Sequence, residues 1–228
     1  MKFFVKKIYF TLFFLITLFI NIEAFAKSGN VIYTKDNISN YFSGIIFADQ
    51  GYNKEALKHL KRVQSLKNVH SKYNIEFIRT LILLNRFEEA FIFAESIWDE
   101  SVLFFEVDLL LGLNSFINED YVNAEKYFKR LNKISQYNLF YEDFFGNILI
   151  IWNKASEGNK KSSFEFLEKV PNQYLHLKKI QNGFLQCYFD TDEKEISFGK
   201  LIHDEGYNFS RYNFFVTNYL LSKNKKVK

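Results

Sequence analysis

One small residue recurs at a fixed interval, and that interval constrains the fold more than any other feature of the chain. Three segments align without gaps, and each has an alanine in the same place: GYNKEALKHL, NRFEEAFIFA and EDYVNAEKYF. Their alanines are Ala56, Ala90 and Ala124, thirty-four residues apart in each case. A period of this length is typical of proteins in which one small structural unit is stacked several times. We therefore predict a repeat protein.

Other small residues extend the same period. Gly44 and Gly112 each lie twelve residues before an alanine of the series. Two degenerate copies follow, in which Ser163 and Ser197 take the place of the alanine and are again thirty-four residues apart. The longer step of thirty-nine residues from Ala124 to Ser163 predicts an insertion of about five residues near the sequence SQYNLFYED.

The segments around these small residues have the pattern of helices. SKYNIEFIRTLILL and YEDFFGNILIIWNKA are longer than average strands, and their apolar residues recur every three or four positions. Two helices joined by a short turn can bury their apolar stripes only if they cross closely. A glycine or an alanine at the crossing lets the two backbones approach, so each unit is predicted to be a helix hairpin.

The order of residues within a unit resembles the tetratricopeptide repeat. Its features appear as Leu111 and Gly112, then Tyr121, Ala124 and Phe128. The resemblance implies an all-α, right-handed α-α superhelix of about five hairpins plus a terminal helix, over residues 39–222. The expected units lie near 39–67, 71–100, 102–133, 139–171 and 174–205, with a lead-in at 27–38, a final helix at 208–222 and a basic tail at 223–228.

The first 26 residues have the three parts of a secretory signal peptide. MKFFVKK is a basic start, Ile8 to Ile20 form an apolar run of thirteen residues, and Ala24 to Ala26 read AFA, a small-x-small cleavage pattern. The run is shorter than the roughly 20 residues of a membrane-spanning helix. We expect cleavage after Ala26 and a periplasmic product, which resembles exported repeat proteins of alphaproteobacteria. An uncleaved leader at the inner membrane is the alternative.

The sequence contains no pattern that predicts catalysis, a metal site or a cofactor. The four histidines show no metal-binding pair, and Cys187 is the only cysteine, within an apolar segment. A nucleophile elbow and a phosphate-binding glycine loop are both missing from the sequence. A net charge of +4 over 228 residues is too small to predict nucleic-acid binding. We expect a non-enzymatic protein that binds another protein or a peptide.

The resemblance implies a concave groove lined by the first helix of each hairpin. By register, the groove-facing residues are Tyr41, Ile45, Ile75, Arg79, Leu109, Leu113, Phe116, Ile148, Trp152 and Gln186. Only Arg79 and Gln186 could help to hold a terminal carboxylate, so an amphipathic helix or an apolar extended segment is the expected ligand. Alternatively, a tightly wound array buries Leu109, Leu113 and Phe116 against its own neighbours.

The C-terminal end offers a second surface. The sequence from Asn208 to Leu221 has the pattern of a first helix with no second helix behind it, and it is more apolar than a capping helix should be. Either a partner covers this end, the chain self-associates through it, or the chain is the front part of a longer array.

Overall fold

A computed structural model describes residues 33–135, 144–194, 196–197 and 218. Every regular element within those ranges is a helix, and no β-strand is present in them. The predicted leader with its cleavage site after Ala26, the lead-in as far as residue 32, residues 136–143 of the segment SQYNLFYED near which the insertion is predicted, and the basic tail lie outside the described residues. The predicted final helix at 208–222 also lies outside them, apart from residue 218.

The helices follow one another along the chain with short connections. The α-helices are α1, Lys35–Asp49; α2, Asn53–Leu60; α3, Ser71–Leu83; α4, Phe87–Ile97; α5, Phe105–Ile117; α6, Tyr121–Ser135; α7, Phe145–Ser156; α8, Lys160–Glu168; and α9, Leu175–Tyr188. Two 3-10 segments, Lys61–Asn68 and Asn172–Tyr174, follow α2 and precede α9.

The chain divides into two compact units, Met1–Phe77 and Ile78–Lys228, and the division falls within α3. In the first unit, α1 packs against α2 and against the 3-10 segment after it. In the second unit, α4 packs on α5, α5 on α6, α6 on α7 and α7 on α8, while α9 packs on both α7 and α8. Within each unit, these consecutive helices are therefore neighbours in space, as in a series of hairpins.

The turn that closes each hairpin has the same backbone geometry. One residue in each of the four turns adopts the left-handed conformation, with φ between 57° and 82°: Gly51, Asn85, Glu119 and Gly158. The amide of the next residue donates a hydrogen bond to the carbonyl five positions back, for example from Asp120 to Ser115 at 2.9 Å. This is the bond of a Schellman motif, which ends a helix and reverses the chain.

Glycine at the helix crossings gives the two helices of a hairpin room to approach. A β-carbon added to Gly44 would lie 2.7 Å from the Leu60 side chain, and one added to Gly112 would lie 2.5 Å from the ring of Phe128. Both distances are far below van der Waals contact. The helices α1 and α2, and likewise α5 and α6, thus meet with a large residue of the second helix seated on a glycine of the first.

Four of the five other small residues of the thirty-four-residue series lie in the core. Ala56, Ala90, Ala124 and Ser163 have no exposed surface. The hydroxyl group of Ser163 donates a hydrogen bond to the carbonyl of Asn159 at 2.9 Å, which satisfies its polar atom inside the helix. Ser197 is half-buried.

A buried arginine holds the loop between α4 and α5. Arg130 of α6 lies 2.7 Å from the carboxylate of Asp108, which has no exposed surface. Its guanidinium also donates hydrogen bonds to three loop carbonyls, those of Asp99, Glu100 and Val102. Because four acceptors surround it, this buried cation is well compensated, and the loop is fixed against α6.

Candidate interaction surface

Three of the residues predicted to line the groove lie along α5. Leu109, Leu113 and Phe116 are half-buried, and they pack against a core cluster formed by Ala124, Phe128, Leu131 and Ile150. Each keeps part of its surface in solvent. The α5 side chains therefore belong partly to the core of the neighbouring helices and partly to the surface.

Two further predicted residues lie along α7. Ile148 and Trp152 are half-buried against a second cluster, formed by Ile151, Ala155, Leu167, Val170 and Leu185. The indole nitrogen of Trp152 donates a hydrogen bond to Gln181 of α9 at 2.8 Å, and its ring meets Tyr188 edge-on. Contacts of this kind hold an aromatic ring in one orientation, which favours recognition. We call Leu109, Leu113, Phe116, Ile148 and Trp152 the first-helix wall.

The two polar residues predicted for the groove are engaged within the protein. A guanidinium nitrogen of Arg79 lies 3.3 Å from the carboxylate of Glu106. Gln186 is 8% exposed, and its amide bonds to Thr191 and Glu193. Both polar side chains thus have partners within the protein, and the predicted groove residues along α5 and α7 are apolar.

The remaining predicted residues lie in the first unit. Tyr41, Ile45 and Ile75 are all half-buried. The Tyr41 ring lies 4.9 Å from the ring of His70, and burial raises the pKa of its phenol. Tyr73, which the sequence did not single out, is fully buried and donates its hydroxyl to the carbonyl of Leu60 at 3.1 Å.

A row of aromatic residues at the starts of the first helices was missed by the sequence prediction. The ring of Phe105, at the start of α5, lies 6.0 Å from that of Phe145 on α7, and the ring of Phe144 lies 4.7 Å from that of Tyr174, which precedes α9. We call these four residues the aromatic row. A signal was present in the sequence, because FF at 104–105, FF at 144–145 and YL at 174–175 each open a first helix.

Apolar side chains are also exposed within the aromatic row and beside Trp152. Phe105 is 38% exposed, and Tyr188 beside Trp152 is 54% exposed. The other exposed apolar residues nearby in sequence are Val102, Leu103, Leu175 and Leu177. Apolar surface that is exposed next to fixed aromatic rings is the usual composition of a protein-binding site.

A network of charges links α6 to α7. The ammonium group of Lys154 lies 2.7 Å from Glu125 and 2.9 Å from Glu157. Burial alone would lower the pKa of Lys154, but the hydrogen bonds to both carboxylates outweigh it and raise that pKa. Burial would likewise raise the pKa of Glu125, but hydrogen bonds from Lys129 and Lys154 outweigh it, and that pKa is lowered.

An open pocket of about 540 Å³ adjoins the end of α9. Its lining residues are Lys160, Phe164, Gln186, Phe189, Asp190, Thr191, Asp192 and Glu193. The described part of the chain holds no group of three or more His, Cys, Asp or Glu side chains that could hold a metal ion. Among the helices that the structure describes, none has the length and apolarity needed to cross a membrane.

Two solved structures have folds similar to that of this chain. No family model and no curated protein sequence matches the chain. The solved structure "MamA MSR-1 C2" is similar over 72% of this chain and 93% of its own, with a TM-score of 0.55 and 12% sequence identity. A second MamA structure, that of a point mutant, is similar over 72% of this chain and 94% of its own, with a TM-score of 0.54 and the same identity. MamA is a tetratricopeptide-repeat protein, so the predicted all-α fold of this repeat type is confirmed.

Proposed function

We propose that this chain is a non-catalytic scaffold that binds a protein or peptide in the bacterial periplasm through its first-helix wall. The observation that carries the proposal is the chemistry of α5 and α7. Five apolar side chains of these helices keep part of their surface in solvent, and one of them, Trp152, is fixed by a hydrogen bond to Gln181. A fixed aromatic ring on an apolar surface is the usual anchor of a protein interface.

The same chemistry favours an apolar ligand. Arg79 is paired with Glu106, and Gln186 is nearly buried, so neither supports capture of a charged peptide end. An amphipathic helix, whose apolar residues recur every three or four positions, would place successive anchors against α5 and α7. The similarity to MamA supports the repeat fold on which the wall depends, and the nature of the partner is our proposal.

A crosslinking pulldown from the periplasm tests the wall. The bait is the chain with Phe116→Glu and Trp152→Glu, and the matched control carries two charges on exposed apolar residues of second helices, Ile92→Glu and Val122→Glu. We expect the wall variant to lose the partners that wild type and control both recover. Equal recovery by the wall variant would contradict the proposal.

A second variant is needed because Phe116 and Trp152 are half-buried, so their substitution could reduce binding by misfolding the protein. Phe105→Glu with Tyr188→Glu changes residues that are already exposed, and both lie beside the wall. We expect the circular dichroism of this variant to match wild type and its partner recovery to fall.

The proposed location has its own test. The mass of the exported protein should correspond to a chain that starts at Lys27, and the protein should appear in the periplasmic fraction. A product of full mass in the membrane fraction would instead support the alternative of an inner-membrane anchor.

A further inference from the structure

An apolar stripe runs along one side of α1, in the unit Met1–Phe77. Ile38, Phe42 and Ile46 are spaced four residues apart, so they share one face of the helix. They are 44%, 58% and 52% exposed, respectively. We call these residues the α1 stripe. Three exposed apolar residues in line are more than the scattered ones that an ordinary surface carries.

Alignment of the repeat units shows to which face of a hairpin the α1 stripe belongs. The hairpin α1–α2 aligns with α7–α8 at an offset of 107 residues, which is the distance from Ala56 to Ser163 and also from Gly51 to Gly158. At this offset, the three residues of the α1 stripe correspond to Phe145, Leu149 and Asn153 of α7.

In α7, this face joins one hairpin to the hairpin before it. Phe145 and Leu149 pack against the cluster that includes Ala124 and Phe128 of α6. Asn153 has no exposed surface, and its amide group donates a hydrogen bond to the carbonyl of Tyr121, the first residue of α6, at 2.9 Å. The face is therefore the one that stacks on the preceding hairpin.

The middle position of this face is also buried in α5. The α5 counterpart of Phe42 is Leu110, sixty-eight residues later, which is 6% exposed where Phe42 is 58% exposed. The α1 stripe thus corresponds to a face that stacks on a neighbouring hairpin elsewhere in the repeat. Among the described residues, none buries the stripe to the extent that this face is buried in α5 and α7.

We infer that the α1 stripe docks a helix hairpin of a second copy of this chain, so that copies stack head to tail. The chain itself supplies the argument for this occupant, because the same face of α7 accepts a hairpin of this repeat. The net charge of +4 over 228 residues gives only weak repulsion between copies.

Head-to-tail stacking has a distinct signature in solution. The two surfaces that meet are different, so each added copy leaves a free surface at either end and growth does not stop at a dimer. The weight-average mass should therefore rise continuously with protein concentration. This inference does not depend on the first-helix wall, and either can fail without the other.

Sedimentation equilibrium of protein expressed from the full sequence tests the inference. Wild type is compared with Phe42→Glu plus Ile46→Glu, and with the charge-matched control Ile92→Glu plus Val122→Glu. All four residues are more than half exposed, so each variant should keep the circular dichroism of wild type. We expect the stripe variant to associate at least about tenfold more weakly than wild type, as the loss of a buried apolar side chain would cause. The control should associate as wild type does.

Several results would overturn the inference. A wild type that stays monomeric up to high micromolar concentration would mean that no copy docks there, as would be the case if the chain's own residues cover the stripe. Unchanged association of the stripe variant would place the contact elsewhere. A mass that levels off at a dimer would contradict head-to-tail stacking.

Discussion

Arg130 is the residue on which the loop between α4 and α5 depends. Removing it by Arg130→Met would leave the carboxylate of Asp108 fully buried without its cation, and three loop carbonyls without their donor. Breaking a buried ion pair in this way costs about 3–5 kcal/mol. We expect a loss of that size in the free energy of unfolding, measured by urea titration with circular dichroism.

The matched experiment for this pair removes both charges. Arg130→Met combined with Asp108→Leu leaves no buried charge, so most of the lost stability should return. A double variant as unstable as Arg130→Met alone would show that the loop carbonyls, and not Asp108, are the important partners.

Glu119 has a backbone conformation that is unfavourable for any residue with a side chain. Its φ of 61° lies in the left-handed region, where residues other than glycine are penalised by roughly 1–2 kcal/mol. The equivalent residues of the first and fourth turns are Gly51 and Gly158. Glu119→Gly should therefore stabilise the protein by up to about 1 kcal/mol in urea unfolding.

A control separates this effect from the general effect of glycine. Glu165 is an exposed residue within α8, where glycine should cost about 0.5–1 kcal/mol because it lowers helix stability. Opposite signs for the two substitutions are expected. A loss of stability at Glu119 as well would contradict the strain that its φ implies.

At the scale of elements, the contact between α6 and α7 should depend on pH. The lowered pKa of Glu125 means that its contribution to stability is present above the unfolded pKa, roughly 4.3, and is lost as the pH falls through the folded pKa. The raised pKa of Lys154 has the opposite consequence, with a contribution that is lost only as the pH rises through its folded pKa. The pair should thus be fully formed at neutral pH.

The change Glu125→Gln measures this contribution. At neutral pH it should cost about 0.5–1 kcal/mol, since the pair is partly exposed and screened by solvent. The cost should shrink as the pH falls from about 4.3 through the lower folded pKa, because the wild-type carboxyl group becomes protonated over that range. Glu165→Gln is the control, since Lys161 lies 3.8 Å away on an exposed surface. A cost independent of pH would contradict the pKa shift.

The elements themselves were largely predictable from the sequence, for a physical reason. Close packing requires alanine or glycine at the crossings, so the spacing of these residues was enough to predict the hairpins. The aromatic row was less accessible, because Phe144 and Phe145 follow the insertion, where the thirty-four-residue register no longer applies. After α9, the spacing of the serines predicts a left-handed residue at Asp192, but the structure has it two positions earlier, at Asp190.

At the scale of the whole molecule, the sequence predicted the fold but could not predict which surfaces remain open. The groove register stays a prediction, and the sequence could not show that Arg79 and Gln186 are engaged with neighbouring side chains. The targets of Arg130 are backbone carbonyls, which leave no residue signature. The α1 stripe could be recognised only by comparing the exposure of equivalent positions in different hairpins.

The central claim is that one helix crossing, with a large side chain seated on a glycine, recurs in both units. The most direct measurement is urea unfolding of Gly44→Ala and Gly112→Ala, each in the wild-type background and with the facing residue removed by Leu60→Ala or Phe128→Ala. In the wild-type background, each added methyl group should cost about 1–3 kcal/mol. Once the facing side chain is gone, the same methyl group should be neutral or stabilise by up to about 1 kcal/mol, as alanine does in a helix. A methyl group that stabilises the wild type, or that costs the same in both backgrounds, would contradict the account.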